Sequence, residues 1–353
     1  MPEAKITLRG LTKIFGPDPA AALALAEAGI GRREMLEERG HVLALNRIDL
    51  DIAAGGIHVV MGLSGSGKST LVRHINRLIE PTAGAIAIDG EDILGLDGRA
   101  LTDLRRRRIA MVFQRFALFP HRSVAENIAY GLAVQGAGKA DQAAAAARWI
   151  TRIGLEGFAG RYPSQLSGGM QQRVGLARAL ATEPEILLMD EPFSALDPLI
   201  RGDMRAMLLG LQAELNKTIV FITHDLDEAL AIGGRISILN DGAIEQTGAP
   251  EDIVLRPAND HVAEFVKGIN RGRVLTGAAI METGADAAFG HAIGPAIEAS
   301  TALEDAAHRL AAGGIGEGRV VDEDGETVGT VRLERLLAVM ARPAPAAVDD
   351  TGD

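Results

Sequence analysis

Short apolar runs along this chain predict strands that are buried on both faces. They occupy residues 57–61, 109–113, 186–189 and 218–223, and the last three end in polar side chains. Continuous runs of this length are typical of the parallel sheet of an α/β protein. Residues 6–11 and 43–52 instead alternate apolar and polar side chains, which predicts two half-buried strands.

Helical spacing of apolar residues fills most segments between these strands, as in 69–78, 123–163 and 200–215. The segment 17–40 is Ala-rich and then charged, which predicts a helical insertion between the two alternating strands.

Asp89 and Gly90 predict a hairpin turn. Residues 101–108 predict a basic helix, whose four arginines we interpret as a solvated face because the chain as a whole is acidic. Strands alternating with helices predict an α/β fold.

The stretch 62–69 fits the phosphate-loop pattern G-x-x-x-x-G-K-[ST]. It follows an apolar strand and precedes a helix, so a nucleotide phosphate would lie at a helix N-terminus. The alternative is an incidental Gly-rich turn. The candidate ATP-binding residues are Gly62, Ser64, Gly65, Ser66, Gly67, Lys68 and Ser69. The Ser69 hydroxyl is also a candidate ligand for Mg²⁺.

Polar residues follow three of the predicted strands. Gln114 follows the run 109–113, Asp190 and Glu191 follow the run 186–189, and His224 follows the run 218–223. Ligands of open α/β sheets bind outside the carboxyl ends of the strands. Asp190 would hold Mg²⁺, and Glu191 would orient or deprotonate a water. Each has a structural alternative, a strand-end turn for the acids and a packing role for the histidine.

Three further features have alternative interpretations. Phe15, just before the insertion, either packs in the core or stacks on a nucleotide base. The loop 115–122 contains Phe116 and Phe119, and it forms either a small satellite core or a docking surface for another protein. Ser167 is a plausible N-cap, and the glycines after it would let a phosphate approach the backbone, although a capped turn explains the same pattern.

Composition limits the class of protein. The 353 residues carry a formal net charge of −11, which argues against a general nucleic-acid binder. Zero cysteines exclude disulfides, thiol catalysis and cysteine metal sites. We read no signal peptide at the N-terminus and no apolar run near the ~20 residues that span a bilayer. A membrane role is therefore expected to act through partners.

Six motifs occur in the order and spacing of an ATP-binding-cassette (ABC) ATPase: residues 62–69, 114, 166–171, 186–191, 194–197 and 224. The chain resembles this family over about residues 5–270. The resemblance implies an α/β fold with a RecA-like P-loop ATPase core, antiparallel β and helical subdomains, the helical one at about 115–180. The ATPase domain would span residues 1–272, and two copies would form a head-to-tail dimer enclosing two ATP molecules.

The resemblance also implies roles for single residues. Ser69, Gln114 and Asp190 would serve Mg²⁺, and Thr70 would support the α-phosphate. Glu191 would be the catalytic base, His224 would contact the γ-phosphate and the attacking water, and Gln114 would be a further catalytic residue. Ser167 and Gly169, with Gly168 between them, would clamp the γ-phosphate bound to the opposite subunit. Asp197 would belong to the same ATP-binding set and couple the two sites across the dimer.

The amino-acid sequences of residues 112–121 and 193–201, and the insertion after Phe15, resemble the ATPase subunit of glycine betaine/proline/choline importers. This implies integral membrane permease subunits and an extracytoplasmic substrate-binding protein as partners, no nucleic acid, and a peripheral location on the cytoplasmic face of the inner membrane. In this alignment Phe15 would stack on adenine. The alternatives are an importer for another small solute and a soluble ABC ATPase without a transport role.

The tail has its own pattern. Residues 300–340 predict the order helix, strand, turn, strand, helix, with Leu336, Leu337 and Met340 at core spacing. This order resembles a single cystathionine-β-synthase (CBS) repeat at 273–342. A first repeat would be reduced to the stretch 277–290, and 343–353 is expected to be disordered. Regulation and mere stabilisation of the dimer remain equal alternatives for the tail.

Overall fold

A computed structural model describes residues 4–114, 117–283 and 294–341. It divides the chain into two compact units, residues 1–247 and 248–353. The division thus falls before Gly248, whereas the sequence places the end of the ATPase domain at Gly272. None of the helices in these ranges is long and apolar enough to cross a membrane.

The strands are β1 Ala4–Phe15, β2 Val42–Ala53, β3 Ile57–Met61, β4 Ala83–Ile88, β5 Glu91–Asp92, β6 Ile109–Val112, β7 Ile186–Asp190, β8 Thr218–Thr223, β9 Arg235–Asn240, β10 Ala243–Gly248, β11 Ala296–Glu298, β12 Glu317–Val321 and β13 Thr327–Arg332. The α-helices are α1 Pro19–Glu27, α2 Arg32–Arg39, α3 Lys68–Ile75, α4 Gly98–Asp103, α5 Val124–Val134, α6 Lys139–Arg152, α7 Gly168–Leu180, α8 Pro198–Leu215, α9 Leu226–Ile232, α10 Pro250–Leu255, α11 Asp260–Val266, α12 Arg271–Val274, α13 Gly277–Ile280, α14 Leu303–Ala312 and α15 Leu333–Met340.

The four apolar runs form neighbouring strands of a six-stranded sheet in the order β10-β9-β3-β8-β7-β6. Strands β3, β8, β7 and β6 pair in parallel, as predicted. The register sets Met61 beside Thr223, and Asp190 beside Ile222. The residues that follow these strands therefore meet at one edge of the sheet.

A second sheet has the order β2-β1-β4-β5 and is antiparallel, as the resemblance implies. Asp89 and Gly90 join β4 to β5 with φ values of 51° and 78°, the positive angles of a type I′ hairpin. Buried side chains of both sheets form one hydrophobic core. Ile6 and Leu50 of the antiparallel sheet belong to this core together with Leu188 of the parallel sheet. This core holds the phosphate-loop strand in place.

The insertion is helical, as predicted, and contains α1 and α2. Met35 of α2 is fully buried in a small cluster with Ile14, Ala22 and Leu43. The cluster fixes α2 on the β1–β2 hairpin.

The predicted basic helix 101–108 differs from the structure. Helix α4 ends at Asp103, and residues Leu104–Arg108 form a π-helical turn. Arg105 donates to the carbonyl of Asn76 at 2.9 Å, and Arg108 pairs with Glu185 at 3.1 Å. These two arginines are thus engaged by the protein, so the run is not simply a solvated face.

Helices α5, α6 and α7 lie in the range 115–180, where the helical subdomain was expected. Ser123 and Glu126 form a capping box at the start of α5. Asn127 is fully buried and bonds the loop before it: its Oδ1 accepts from the Phe119 amide, and its Nδ2 donates to the carbonyl of Phe119. The loop is therefore fixed to the helix that follows it.

The second unit contains α10 to α15 and a three-stranded sheet in the order β11-β12-β13. The predicted order is confirmed by α14, β12, β13 and α15, while β11, which pairs in parallel with β12, was missed. Leu336 is buried, but Leu337 is 51% exposed, so its assignment to the core was wrong. The tail predictions for 284–293 and 342–353 lie outside the described residues.

Candidate nucleotide site

The phosphate loop joins β3 to α3 and uses its glycines in two ways. Gly62 and Gly67 have φ values of 156° and 109°, and a Cβ atom there would lie 2.0 Å from the carbonyl oxygen of Leu239 and 2.6 Å from that of Ala44. Neighbouring backbone therefore excludes side chains at both positions. Gly65 also has a positive φ, 80°, but its Cβ would meet nothing within 4 Å. The loop is packed on one side and open at Gly65.

The N-terminus of α3 has no side-chain cap, because its N-cap residue is Gly67. By contrast, α7, α8 and α9 are capped by Ser167, Asp197 and Asp225. The first N–H groups of a helix have no partner within the helix, and they carry the positive end of its dipole. The uncapped end of α3 therefore fits an anion such as a nucleotide phosphate.

Lys68 is the first residue of α3, and its side chain is only 4% exposed. Its Nζ donates to the carbonyl oxygens of Gly62 and Leu63 at 2.8 and 2.9 Å, and lies 3.9 Å from Oε1 of Glu191. Burial lowers the pKa of Lys68, and the charges of Glu191 and Asp190 oppose that shift. The two carboxylates thus favour the ammonium form that binds phosphate.

Ser69 and Asp190 meet at the end of β7. The Ser69 hydroxyl donates to Oδ1 of Asp190 at 2.6 Å, and Arg73 donates to Oδ2 at 3.2 Å. Two neighbouring oxygens of an octahedral Mg²⁺ shell stand about 2.9 Å apart, given Mg–O distances of about 2.0–2.1 Å. The hydroxyl and carboxylate oxygens therefore fit adjacent positions around this ion.

Glu191 lies at the centre of the strand-end residues. Its φ of 46° is unusual for a non-glycine residue. Its amide donates to the carbonyl of Ile222 at 3.0 Å, and its carbonyl accepts from the Ser194 hydroxyl at 2.9 Å. Oε2 is 3.0 Å from Nδ1 of His224 and 3.5 Å from Nε2 of Gln114. Six predicted residues are thus joined by contacts, and we call them the catalytic cluster: Lys68, Ser69, Gln114, Asp190, Glu191 and His224.

The turn at the start of α7 does not contact the catalytic cluster through hydrogen bonds within the described residues. It consists of Ser167, Gly168 and Gly169, and we call it the signature turn. The Ser167 hydroxyl accepts from the Met170 amide at 3.3 Å. A Cβ on Gly169 would lie 2.6 Å from Cγ2 of Ile200, whose amide donates to Asp197 at 3.1 Å. Within the described residues, no hydrogen bond joins the signature turn or Asp197 to the catalytic cluster.

Phe15 ends β1, opposite Val42. The residue is 40% exposed, and Nζ of Lys13 lies over the ring, 4.9 Å from its centroid. This exposure excludes the core interpretation.

The loop before α5 is described from Ala117 onward, so Arg115 and Phe116 lie outside the described residues. The Phe119 ring is partly buried, with its centroid 4.4 Å from that of Tyr130 and 5.3 Å from the Arg122 guanidinium. It also lines a cavity of about 430 Å³ together with Phe113 and Val134. Phe119 thus contributes to a local core and to an open apolar surface.

Two arginines that contact this site were not predicted from the sequence. Arg73 contacts Asp190 and lies four residues after Ser69, so helical periodicity places both on one face of α3. Arg32 of α2 donates to the carbonyl of Gly65 at 2.9 Å. No local pattern marks Arg32, since its partner lies 33 residues away.

Comparison with known proteins identifies the family of this chain. A family model described as ABC transporter matches residues 45–194. The chain is 51% identical over 278 residues to the glycine betaine/carnitine transport ATP-binding protein of Listeria monocytogenes, covering 79% of this chain and 70% of that protein. It is 52% identical over 278 residues to the glycine betaine transport ATP-binding protein of Bacillus subtilis, covering 79% of this chain and 66% of that protein.

A solved structure of an ATP-binding cassette has a similar fold. The dimeric, post-hydrolysis structure of an ATP-binding cassette bound to ADP and Pi superposes with a TM-score of 0.58 at 35% sequence identity. The superposition covers 69% of this chain and 98% of that one.

Proposed function

Since the chain belongs to the ABC transporter family as an ATP-binding subunit, we propose that it is the ATP-hydrolysing motor of a binding-protein-dependent importer for a quaternary ammonium compound. Glycine betaine, choline and proline betaine are the candidate solutes. The observation that carries the proposal is the identity of about half of all aligned residues to glycine betaine transport ATP-binding proteins. The catalytic cluster supplies the matching chemistry.

The proposed reaction is hydrolysis of the terminal phosphoanhydride of ATP. A water oxygen attacks the γ-phosphorus, the bond to the bridging oxygen breaks, and ADP and phosphate leave while Glu191 takes the proton of the water. Oε2 of Glu191 is held by His224 and Gln114, and Oε1, which lies 3.9 Å from Nζ of Lys68, would accept the proton of the water. The α3 N-terminus and Lys68 would bind the phosphates.

Ser69, Asp190 and Gln114 would hold Mg²⁺. Bound there, the ion would neutralise charge on the β- and γ-phosphates. Thr70 would support the α-phosphate, and Phe15 would stack on adenine. The exposed ring of Phe15 and the 2.6 Å contact between Ser69 and Asp190 support these assignments.

We propose that two copies form a head-to-tail dimer in which the signature turn of one copy completes the site of the other. The separation of the signature turn from the catalytic cluster in one chain supports this arrangement, as does the dimeric form of the solved cassette. Asp197 and Gly169, which both contact the first turn of α8, would couple the two sites.

The partners proposed for this motor are integral membrane permease subunits and, through them, an extracytoplasmic binding protein. The apolar cavity beside Phe119 would receive a helical segment of the permease. The chain would then lie on the cytoplasmic face of the membrane as a peripheral subunit.

The tail remains a proposed single CBS-like repeat at 273–342. The packing of α14, α15 and β11 to β13 into one unit supports a folded module. Leu275 is fully buried, and its carbonyl accepts from the Leu303 amide. The short helices α12 and α13 therefore belong to this module, and its role in regulation or in stabilising a dimer is still open.

The test is reconstitution of the chain in liposomes with the permease subunits and binding protein proposed as its partners. We expect ATP-dependent uptake of radiolabelled glycine betaine, and none when Glu191→Gln replaces the parent chain. ATP-driven uptake of another small solute without any quaternary ammonium compound would overturn the solute assignment. ATPase activity that the permease and binding protein neither stimulate nor couple to solute uptake would favour a soluble, non-transport role.

A further inference from the structure

The helical insertion contacts the phosphate loop through one side chain. Arg32, the first residue of α2, donates from one guanidinium nitrogen to the carbonyl oxygen of Gly65 at 2.9 Å. It donates from the other to Oδ1 of Asp241 at 3.0 Å. The Arg32 side chain is 31% exposed, so part of this contact is shielded from water.

The position of Arg32 does not serve the stability of its own helix. A cation in the first turn of a helix opposes the helix dipole and is therefore unfavourable there. Helix α2 is fixed instead by Met35, which is fully buried against the β1–β2 hairpin. Met35 lies three residues after Arg32, so the packing that holds α2 also holds the guanidinium against the loop.

The contact falls on the tip of the loop, where no other hydrogen bond to Ser64 or Gly65 is present within the described residues. Ser64 and Gly65 are exposed, and a Cβ on Gly65 would meet no atom within 4 Å. The next residue, Ser66, is held from the other side, because its carbonyl accepts from the Gly242 amide at 2.9 Å. Gly242 follows Asp241, so Arg32 joins the loop tip to the same β9–β10 turn.

The insertion also reaches the other end of the proposed nucleotide site. It leaves the antiparallel sheet after Phe15 and returns at Val42, which pairs with Phe15. The segment thus starts at the proposed adenine-stacking ring and contacts the loop proposed to bind phosphates. It is therefore adjacent to both ends of the nucleotide.

We propose that Arg32 is a positioning residue of the nucleotide site, which holds the tip of the phosphate loop ready for ATP and makes ATP affinity depend on the insertion. The inference rests on the proposed function. Donation to the carbonyl of Gly65 leaves its N–H group free for phosphate. Because linkage is reciprocal, bound nucleotide must in turn stabilise the insertion.

The experiment compares steady-state ATP hydrolysis by the full chain and by Arg32→Ala, Arg32→Lys and Arg33→Ala. Arg33 is the matched control, since it is the next residue on α2 and its side chain is 89% exposed. For Arg32→Ala we expect KM for ATP to rise about fivefold, because a factor of this size corresponds to the loss of one modest hydrogen bond. The value of kcat should stay within about twofold of the parent. Arg32→Lys should restore part of the affinity, and Arg33→Ala should match the parent.

A second readout does not depend on hydrolysis. ADP should slow trypsin cleavage after Arg39 at the end of α2 in the parent chain, because cleavage requires local opening. At saturating ADP, this protection should be weaker in Arg32→Ala than in Arg33→Ala.

An unchanged KM together with unchanged protection in Arg32→Ala would overturn the inference. An equal rise in KM in Arg33→Ala would also overturn it, because the effect would then come from helix stability or surface charge. A parent chain that neither binds nor hydrolyses ATP would refute the proposed function itself. That result is distinct from a functional parent whose Arg32 variant behaves normally.

Discussion

The phosphate loop and the signature turn each stand at the N-terminus of a helix, α3 and α7, but the two N-termini differ in capping and in burial. The N-terminus of α3 has no side-chain cap and is enclosed by Lys68 and Asp190, which are 4% and 3% exposed. The N-terminus of α7 is capped by the exposed Ser167. One half of the proposed site is therefore buried and assembled within a single chain. The other half is a surface feature.

This difference matches the proposal that the signature turn acts on the site of a second copy. The Ser167 hydroxyl accepts one hydrogen bond from Met170, and within the described residues its own O–H donates to no other group. In the proposed dimer this donor would reach a phosphate bound to the other copy. We therefore expect nucleotide binding to depend mainly on the catalytic cluster, and hydrolysis to depend on both halves.

The largest effect is expected from Glu191→Gln. Loss of the proposed general base should lower kcat about 10³-fold, while ATP binding persists and traps a dimer. Hydrolysis and size-exclusion chromatography with ATP test this expectation. Glu183→Gln is a matched control, because Glu183 is 72% exposed and forms an ion pair only with Arg148 within the described residues. Near-normal hydrolysis by Glu191→Gln would refute the assignment.

The buried half should also be sensitive to acid through His58 of β3. Burial, with a smaller contribution from Arg235, lowers the pKa of His58 to about 4, from an ordinary value of 6.5. The unfolded chain therefore binds the proton first, so stability present above pH 6.5 is lost as the pH falls toward 4.

The loss should reach about 3 kcal/mol at pH 4, from a shift of about 2.5 pKa units at 1.36 kcal/mol each. Urea unfolding between pH 7 and pH 4 measures it. His58→Gln keeps a partner for Ser237, which lies 2.8 Å from the His58 ring, and should remove this part of the pH dependence. Parallel pH profiles for the two proteins would contradict the prediction. Glu228 should act in the opposite direction, since burial raises its pKa.

Mixing two defective subunits tests the division between the halves. Lys68→Ala should weaken ATP binding about tenfold or more, and Ser167→Arg should spare binding but block dimer closure. A heterodimer of the two retains one site with both parental parts, so the mixture should hydrolyse ATP faster than either variant alone. Ser164→Arg, an exposed neighbour of the signature turn, is the control for bulk. A mixture with no recovered activity would argue against a site completed across the dimer.

A smaller effect is expected at the proposed permease surface. Phe119→Asp places a charge in the apolar cavity and should reduce solute uptake about fivefold, while the ATPase rate of the isolated chain stays within about twofold. Phe119→Leu preserves an apolar surface and should retain uptake. Unchanged uptake in Phe119→Asp would leave Phe119 with its packing against Tyr130 alone.

Much of the catalytic cluster could be predicted because its signals are local. An apolar run followed at once by Asp190 and Glu191 defines a buried strand and the acids at its end. Gly62, Gly67 and Lys68 belong to one short pattern whose backbone geometry depends on nearest neighbours. The shared edge then follows from the general rule for parallel sheets.

Other features depended on contacts between distant segments. The π-helical turn at Leu104–Arg108, the strand β11 and the division before Gly248 have no strong local pattern. Phe15 shows the same limit, because a phenylalanine at a strand end is compatible with burial or exposure. Only its pairing with Val42 and its 40% exposure decided between the two.

The sequence by itself determined the residue types, their order and the strand ends on which they lie, because periodicity and turn chemistry act over a few residues. Tertiary structure alone decided that His224 and Gln114 share one oxygen of Glu191, and that Arg32 reaches Gly65. Such contacts join segments tens of residues apart. Their geometry is set by sheet order and by the packing of Met35 and the central core, which no local pattern encodes.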